Sequence, residues 1–62
     1  MAVFEVAYAD HRPVERVSAE WIEAQGRHWV LMSTAVVINR YRPVVGLRVP
    51  IADVWAIYVL SP

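Results

Sequence analysis

The chain has 62 residues, of which 58% are hydrophobic and 19% charged, and its six arginines balance six carboxylates without any lysine or cysteine. The lack of cysteine excludes a disulfide framework and a thiolate metal site, and two histidines alone cannot form a closed zinc site. The zero net charge provides no overall field that would attract nucleic acid or an acidic membrane. Because so short a chain builds only a small core, its apolar excess predicts a homo-oligomer.

The first strand is predicted near the start of the chain. Residues 3–8 read VFEVAY, and their alternation places Phe4, Val6 and Tyr8 on one face of a strand. Residues 9–13 then form a polar break, because they contain an aspartate that favours turns and a proline that cannot donate a ladder hydrogen bond.

The central segment, residues 19–32, has two apolar arms around Gln25 and Gly26. Glycine adopts the positive φ of a tight two-residue turn without steric cost, so the pattern predicts a β-hairpin with these two residues as its loop. The cross-strand pairs would be Ile22 with Trp29, Trp21 with Val30, and Glu23 with His28. One face would carry Ile22, Trp29 and Leu31, and the other Trp21, Val30 and Met32. Both faces of the hairpin are therefore predicted to be apolar.

A helix over residues 14–25 is the alternative for the first arm of this hairpin. Apolar residues recur there at helical spacing, Pro13 suits a first helical turn, and Gly26 suits a helix end. The segment is only about three turns long, a length at which a helix depends on packing. The strand is preferred, and the alternative fold is α+β with one helix.

Three further strands are predicted in the second half of the chain. Residues 35–39 are a β-branched run that forms a strand or continues the preceding one past a bulge. Residues 44–49 form a short strand in which Gly46 marks a bulge or a close backbone approach. Residues 54–60, VWAIYVL, form a strand that is apolar on both faces, with positions 54, 56, 58 and 60 opposite 55, 57 and 59.

Two corners separate these strands. Residues 40–43 are predicted to form a turn or an extended corner, because proline at position 43 restricts the residue before it. Residues 50–53 are predicted to form a second corner with a single helical turn. The chain should therefore be one mainly β domain over residues 1–62, folded as a small twisted antiparallel sheet or barrel-like meander of four to six short strands.

No segment predicts a membrane span or a secretory signal. The longest apolar run without a charge, residues 54–60, is far shorter than the roughly 20 residues that a spanning helix needs. Residues 1–10 lack the basic start of a signal peptide. The sequence therefore predicts a soluble cytoplasmic protein without a membrane partner.

No enzymatic activity and no cofactor are predicted. The sequence contains no glycine-rich phosphate loop, metal-ligand spacing or nucleophile elbow. A facing pair of Glu23 and His28 is interpreted as a surface ion pair rather than an acid–base pair. Asp10 and His11 are interpreted as solvated turn residues rather than metal ligands.

Protein contacts are predicted at the aromatic residues. Three tryptophans are more than so small a core can hold, so at least one should fill the core and at least one should lie at a contact. Tryptophan and tyrosine are enriched at interface hot spots. The predicted interface residues are Trp21, Trp29, Trp55, Ile57 and Tyr58. A small-molecule pocket lined by indoles is a further hypothesis.

A basic cluster carries the alternative function. Arg40, Tyr41 and Arg42, with Arg48 nearby, place an aromatic ring between arginines, as phosphate contacts and base stacking require. The alternative is therefore a small barrel-like nucleic-acid-binding protein.

Two stretches, GRHWVLMS at residues 26–33 and RVPIADVWAIYVL at residues 48–60, resemble small uncharacterised β-rich proteins of actinobacteria and their phages. The use of arginine in place of lysine is typical of a GC-rich genome. The resemblance implies a phage accessory or host-interacting role in the host cytoplasm and supplies no catalytic residues. The preferred prediction is a non-enzymatic, homo-oligomeric protein-interaction module that binds itself and another protein.

Overall fold

A computed structural model describes residues 1–61, so the predicted domain ends one residue beyond the described part of the chain. The strands are β1 (Ala2–Tyr8), β2 (Glu15–Ala19), β3 (Trp21–Gln25), β4 (His28–Val37), β5 (Arg40–Pro50) and β6 (Val54–Ser61). A 3₁₀ turn, Ile51–Asp53, joins the last two. No α-helix occurs among the described residues, which confirms the mainly β prediction.

The strands form two three-stranded antiparallel sheets. The first sheet has the order β2-β1-β6 and the second has the order β3-β4-β5. Only Glu20 separates β2 from β3, and its backbone N–H donates to the Met32 carbonyl at 2.8 Å. One bent segment therefore passes from the first sheet to the second, and the 3₁₀ turn makes the corresponding change between β5 and β6.

The helix predicted as the alternative over residues 14–25 does not form, because this range contains β2 and β3. Val17 and Ala19, two positions apart, both contribute to the core. That spacing is the period of a strand, whereas residues two apart on a helix do not share a face. Tertiary packing of the first sheet therefore determines that Glu15–Ala19 forms a strand and not part of a helix.

The central hairpin forms with a different loop from the predicted one. Its loop residues are Gly26 and Arg27, so Trp21 pairs with Met32 and Ile22 pairs with Leu31. Gly26 has a φ of 60°, and glycine adopts this positive φ at the first position of a two-residue turn without steric cost. The partners shift by two residues, so the predicted faces are unchanged although the predicted pairs are wrong.

The second hairpin differs more from its prediction. β4 continues to Val37, and its turn consists of Ile38 and Asn39, with φ values of 51° and 58°. The corner predicted at residues 40–43 is wrong, since that segment begins β5. Proline at position 43 is accommodated because β5 is an edge strand, where a missing N–H need not break a ladder.

Irregular pairing occurs in both β5 and β6, the two strands that the 3₁₀ turn joins. The pairing of β4 with β5 passes from Leu31 opposite Leu47 to Met32 opposite Val45, which confirms the bulge predicted at Gly46. The helical turn predicted at residues 50–53 and the strand after it are also confirmed. Irregular pairing of β6 with β1 lies on either side of its centre, so the simple alternation of faces predicted there does not hold along the whole strand.

The core lies between the two sheets and consists of two small clusters. The predicted inward face of β1 supplies residues to both, since Phe4, Val6 and Tyr8 are each at most 8% exposed, as predicted. One cluster contains Phe4, Ala19 and Leu31, and the other contains Val6, Tyr8 and Val49. Ile57 packs against both. The molecule is elongated, with extents of 42 × 26 × 14 Å, and residues 36–46 are exposed throughout.

Candidate functional site

An apolar cleft of about 360 Å³ lies between the second sheet and β6. Its lining is formed by side chains without charge or hydrogen-bonding groups other than two indole N–H groups. The lining residues are Phe4, Ile22, Trp29, Trp55, Ala56, Ile57 and Val59. The strands at its margins, β3 and β6, are edge strands of different sheets and do not pair with each other. We call this gap between them the open seam.

The two indoles of the open seam occupy different environments. Trp29 is half-buried and packs against the core cluster of Val6, Tyr8 and Val49. Trp55 is 77% exposed, because the irregular pairing between Val54 and Ala56 leaves it without a partner on β1. Trp29 therefore forms the floor of the cleft, and Trp55 remains available for contact.

The corresponding gap between β2 and β5 is closed. Gly46 lies at the β5 bulge, and a Cβ placed there would be 3.5 Å from the Leu31 carbonyl oxygen and 3.7 Å from a Val17 methyl carbon. The two strands contact each other at this point, with room for a Cβ only at ordinary contact distance. We call this the closed seam.

The structure brings together three of the five predicted interface residues. Trp29, Trp55 and Ile57 all line the cleft. Trp21 is half-buried on the other face of the second sheet, opposite Met32, and Tyr58 is half-exposed opposite Glu5. Sequence reasoning missed Phe4, Ile22, Ala56 and Val59 as cleft residues. The signal that could have identified Phe4 and Ile22 was the period-two pattern of their strands. It places Phe4 on the inward face of β1 and Ile22 on the same hairpin face as Trp29.

β6 is the most accessible apolar strand. Its sequence, VWAIYVLS, contains neither a charge nor a proline that would prevent another strand from pairing with it. Besides Trp55, its Tyr58 is 50% exposed, Val59 62% and Leu60 47%. Within residues 1–61, only β1 pairs with it, so one edge of backbone donors and acceptors is free.

The predicted basic cluster is divided by the strand geometry. Arg40 and Arg42 pair with alternate residues of β4 and share one face, whereas Tyr41 lies on the opposite face. Arg48 shares the face of Tyr41 but is about 20 Å farther along β5 at the usual rise per residue. The four residues therefore do not form one patch.

The predicted facing of Glu23 and His28 is wrong. Glu23 lies opposite Val30 and accepts a 2.7 Å hydrogen bond from the Gln25 side chain, while His28 lies opposite Gln25. This difference follows from the shifted loop. In the described part of the chain, no three His, Asp or Glu side chains are grouped as a metal site would require.

A polar cluster connects the loop after β1 to the 3₁₀ turn. The Tyr8 hydroxyl donates to Glu15, and the Arg12 guanidinium lies 4.2 Å from the centre of the Tyr8 ring. Arg12 also contacts Asp10 at 2.9 Å and Asp53 at 3.6 Å. These contacts hold the loop against the start of β6.

Three pKa values in this cluster are displaced, and that of Arg12 is raised chiefly by its side-chain hydrogen bond to Asp10. Burial, followed by the hydrogen bond to Glu15, raises the pKa of Tyr8 to about 12. The hydrogen bonds from Arg12 lower the pKa of Asp10. All three shifts favour the protonation states that the contacts need at neutral pH, so the cluster is interpreted as structural.

Two findings bear on classification. Residues 1–61 include no helix long and apolar enough to cross a membrane. No protein family, curated protein or solved structure matches the chain.

Proposed function

We propose that the chain is a non-enzymatic protein-interaction module in which two copies associate through their β6 strands. The observation that carries this proposal is the eight-residue β6 edge, which is uncharged, apolar and unpaired on one side. A free edge of this kind is a template for another strand. Association across a two-fold axis satisfies both edges at once and ends the assembly at a dimer.

The sequence of β6 is self-complementary in an antiparallel two-fold arrangement. A dyad near the centre of Val54–Ser61 passes between the two copies of Ile57, because directly opposed residues of antiparallel strands share a face. The cross-strand pairs between copies are then Ile57 with Ile57, Ala56 with Tyr58, and Trp55 with Val59. Each is an apolar or aromatic pair, the kind that stabilises antiparallel strands. The second copy would also cover the open seam.

The energetics are compatible with a dimer at micromolar concentration. Burial of several hundred Å² of apolar surface on each copy contributes on the order of 10 kcal/mol at about 25 cal/mol per Å². The loss of translational and rotational freedom subtracts an estimated 4 kcal/mol or more. The remainder supports a reversible interface.

In the cell, the proposed dimer uses the same kind of apolar and aromatic contact to bind a second protein. The dimer acts in the cytoplasm by binding another protein, and a phage accessory role would place it in the host cytoplasm. Aromatic residues that stay outside the dimer contact, including Trp21 on the other sheet face, provide the second surface. Arginine and tryptophan on an exposed face are typical of such contacts.

Sedimentation equilibrium tests the dimer. The wild type should sediment at twice 7.1 kDa, and its melting temperature should rise with protein concentration. Trp55→Glu should give a folded monomer, because it places a charge in the shared surface. Val14→Glu is the matched control, since Val14 is exposed but lies outside β6, and it should remain dimeric. Ile57 is unsuitable for this test because it packs against both core clusters.

Amide hydrogen exchange locates the contact. The β6 amides that point away from β1 should be protected in the wild type and should exchange rapidly in Trp55→Glu. A wild type that sediments as a 7.1 kDa monomer at micromolar concentration, or β6 amides that exchange equally in both proteins, would refute the proposed dimer.

The nucleic-acid alternative has weaker support because its four residues are dispersed over two faces of β5. It predicts that replacing Arg40, Arg42 and Arg48 by alanine abolishes the shift of a DNA or RNA probe and that added salt weakens binding steeply. An apolar dimer contact would show neither dependence.

A further inference from the structure

The end of the β4–β5 hairpin exposes an unusual concentration of apolar side chains. We call residues 36–42 the hairpin tip. Val36 is 62% exposed, Val37 49%, Ile38 89% and Tyr41 78%. Isolated exposed apolar residues are ordinary, but a group at the extremity of a projecting element indicates a contact surface.

Ile38 is both exposed and conformationally strained. It occupies the first loop position of the turn with a φ of 51°, a region that glycine and asparagine adopt far more readily than a β-branched residue. Strain of this kind occurs preferentially at ligand contacts and switch regions. Neither its conformation nor its exposure stabilises the folded chain in water, whereas burial of its side chain in an apolar phase would be favourable.

The charged side chains of the tip itself have one sign, and the nearby Glu20 carboxylate accepts hydrogen bonds from Thr34 at 3.1 and 3.3 Å just before the tip begins. Residues 24–52 contain no carboxylate, and the tip itself carries Arg40 and Arg42. The zero net charge of the chain conceals this separation. Residues 1–25 have five carboxylates and two arginines, for a net charge of −3, and residues 26–62 have four arginines and one carboxylate, for +3. The hairpin is therefore complementary to an anionic surface.

We propose that the hairpin tip inserts into the interface of an anionic phospholipid bilayer. The aliphatic apex at Ile38 and Val37 enters the boundary between headgroups and acyl chains, and Tyr41 lies at headgroup depth. Arg40 and Arg42 extend their aliphatic stems along the apolar surface and keep their guanidinium groups at the lipid phosphates. Such peripheral insertion requires no membrane-spanning segment and uses a local positive charge, so it departs from the sequence-based prediction, which excluded a membrane partner on the absence of a span and on the zero net charge.

The geometry favours a bilayer over nucleic acid as the occupant. Tyr41 lies on the opposite face of β5 from Arg40 and Arg42, so a single strand cannot readily stack on the ring while its phosphates contact both arginines. A bilayer surrounds an inserted tip and contacts both of its faces. The four exposed apolar side chains also exceed what phosphate binding uses.

Vesicle co-sedimentation tests the proposal with the full chain. The wild type should bind vesicles of equimolar phosphatidylcholine and phosphatidylglycerol and should bind pure phosphatidylcholine much more weakly. Arg40→Gln and Arg42→Gln should each reduce binding to the anionic vesicles by about fivefold. Added salt should weaken that binding as well.

Ile38→Asn separates membrane contact from folding. Asparagine suits the positive φ of the turn, so the melting temperature should stay the same or rise, while vesicle binding should fall by about tenfold or more. Val14→Asn is the matched control, because Val14 is 51% exposed but lies far from the tip in sequence and outside any strand. It should bind vesicles as the wild type does.

Three results would overturn the insertion. The first is equal binding to neutral and anionic vesicles or none to either, and the second is unchanged binding by Ile38→Asn. The third is tighter binding to a DNA oligonucleotide that depends on both arginines but not on Ile38, which would assign the tip to nucleic acid. Monomeric Trp55→Glu, which retains the tip, keeps this test separate from that of the dimer.

Discussion

The closed seam and the open seam are the two places where the two sheets could join, and they have opposite outcomes. At the closed seam, β2 and β5 touch, and a Cβ at Gly46 would lie 3.7 Å from a Val17 methyl carbon. At the open seam, Trp29 and Trp55 contribute indoles to the gap, and β3 and β6 do not pair with each other. The two seams therefore differ in the residues that face the gap, a glycine at the closed seam and two indoles at the open seam.

The two seams should therefore have different roles, the closed seam in the stability of the fold and the open seam in association with a partner. The closed seam covers core residues, including the fully buried Leu31, so changes there should alter the free energy of unfolding. The open seam has an exposed margin, so changes there should alter association with little effect on the fold. The following substitutions test this division.

The largest effect is expected for Gly46→Leu. A Cβ at this position would already contact Val17 and the Leu31 carbonyl oxygen, so the larger leucine side chain should overpack the seam, which typically costs about 1–3 kcal/mol. Urea unfolding measures the loss. Gly46→Ala is the control, because its Cβ would make only ordinary contacts. Equal stability of the leucine variant and the wild type would show that the close approach at Gly46 is unimportant.

Gly26→Val should lower the free energy of unfolding by more than about 1 kcal/mol. Gly26 has a φ of 60°, and no atom lies within 4 Å of the position its Cβ would occupy. The cost is therefore conformational rather than steric, and it falls on the turn that begins beside the open seam. Thermal unfolding measures the cost, and Gly26→Asn should lose less. An unchanged melting temperature for the valine variant would contradict the turn assignment.

Stability should fall in alkali because of Tyr8. Its pKa is about 12 in the folded chain and 10.0 ordinarily, so the folded state favours the protonated hydroxyl. The resulting stabilisation is complete below pH 10 and disappears as the pH rises towards about 12. Denaturant unfolding across this range measures the decline. Tyr8→Phe should show a shallower decline, and identical pH profiles would exclude Tyr8 as its source.

The smallest effect on the monomer is expected for Trp55→Ser. Because Trp55 is 77% exposed, its replacement should change the free energy of unfolding of the monomer by no more than about 0.5 kcal/mol. Unfolding at protein concentrations below the dimer dissociation constant measures this value. A loss comparable to that of Gly46→Leu would mean that the open seam is part of the core.

Period-two patterns predicted much of the fold. The alternation of β1 identified Phe4, Val6 and Tyr8 as buried, and the faces of the central hairpin survived an error in its loop. The turn at Ile38 and Asn39 was missed because neither residue is glycine and the apolar run through position 38 reads as strand. Local propensity could not reveal a strained turn, since the pairing of two long strands enforces it.

Interface residues could be predicted by type but not by position. Tryptophan content indicated that some indoles would be exposed, yet the sequence could not show that Trp55 would be far more exposed than Trp29. That distinction depends on the pairing irregularity in β6, which arises only when β6 meets β1. The proposed self-association surface therefore combines a compositional signal with a tertiary one.

The sequence by itself determined the strand content, the faces of β1 and the central hairpin, and the bulge at Gly46, because these depend on side-chain alternation and on the backbone freedom of single residues. The tertiary structure decided which strands pair, which seam closes, and how far the arginines of β5 lie from one another. These features depend on contacts between residues distant in the chain. No local pattern contains such contacts, because they form only when both sheets are assembled around Leu31 and Val6.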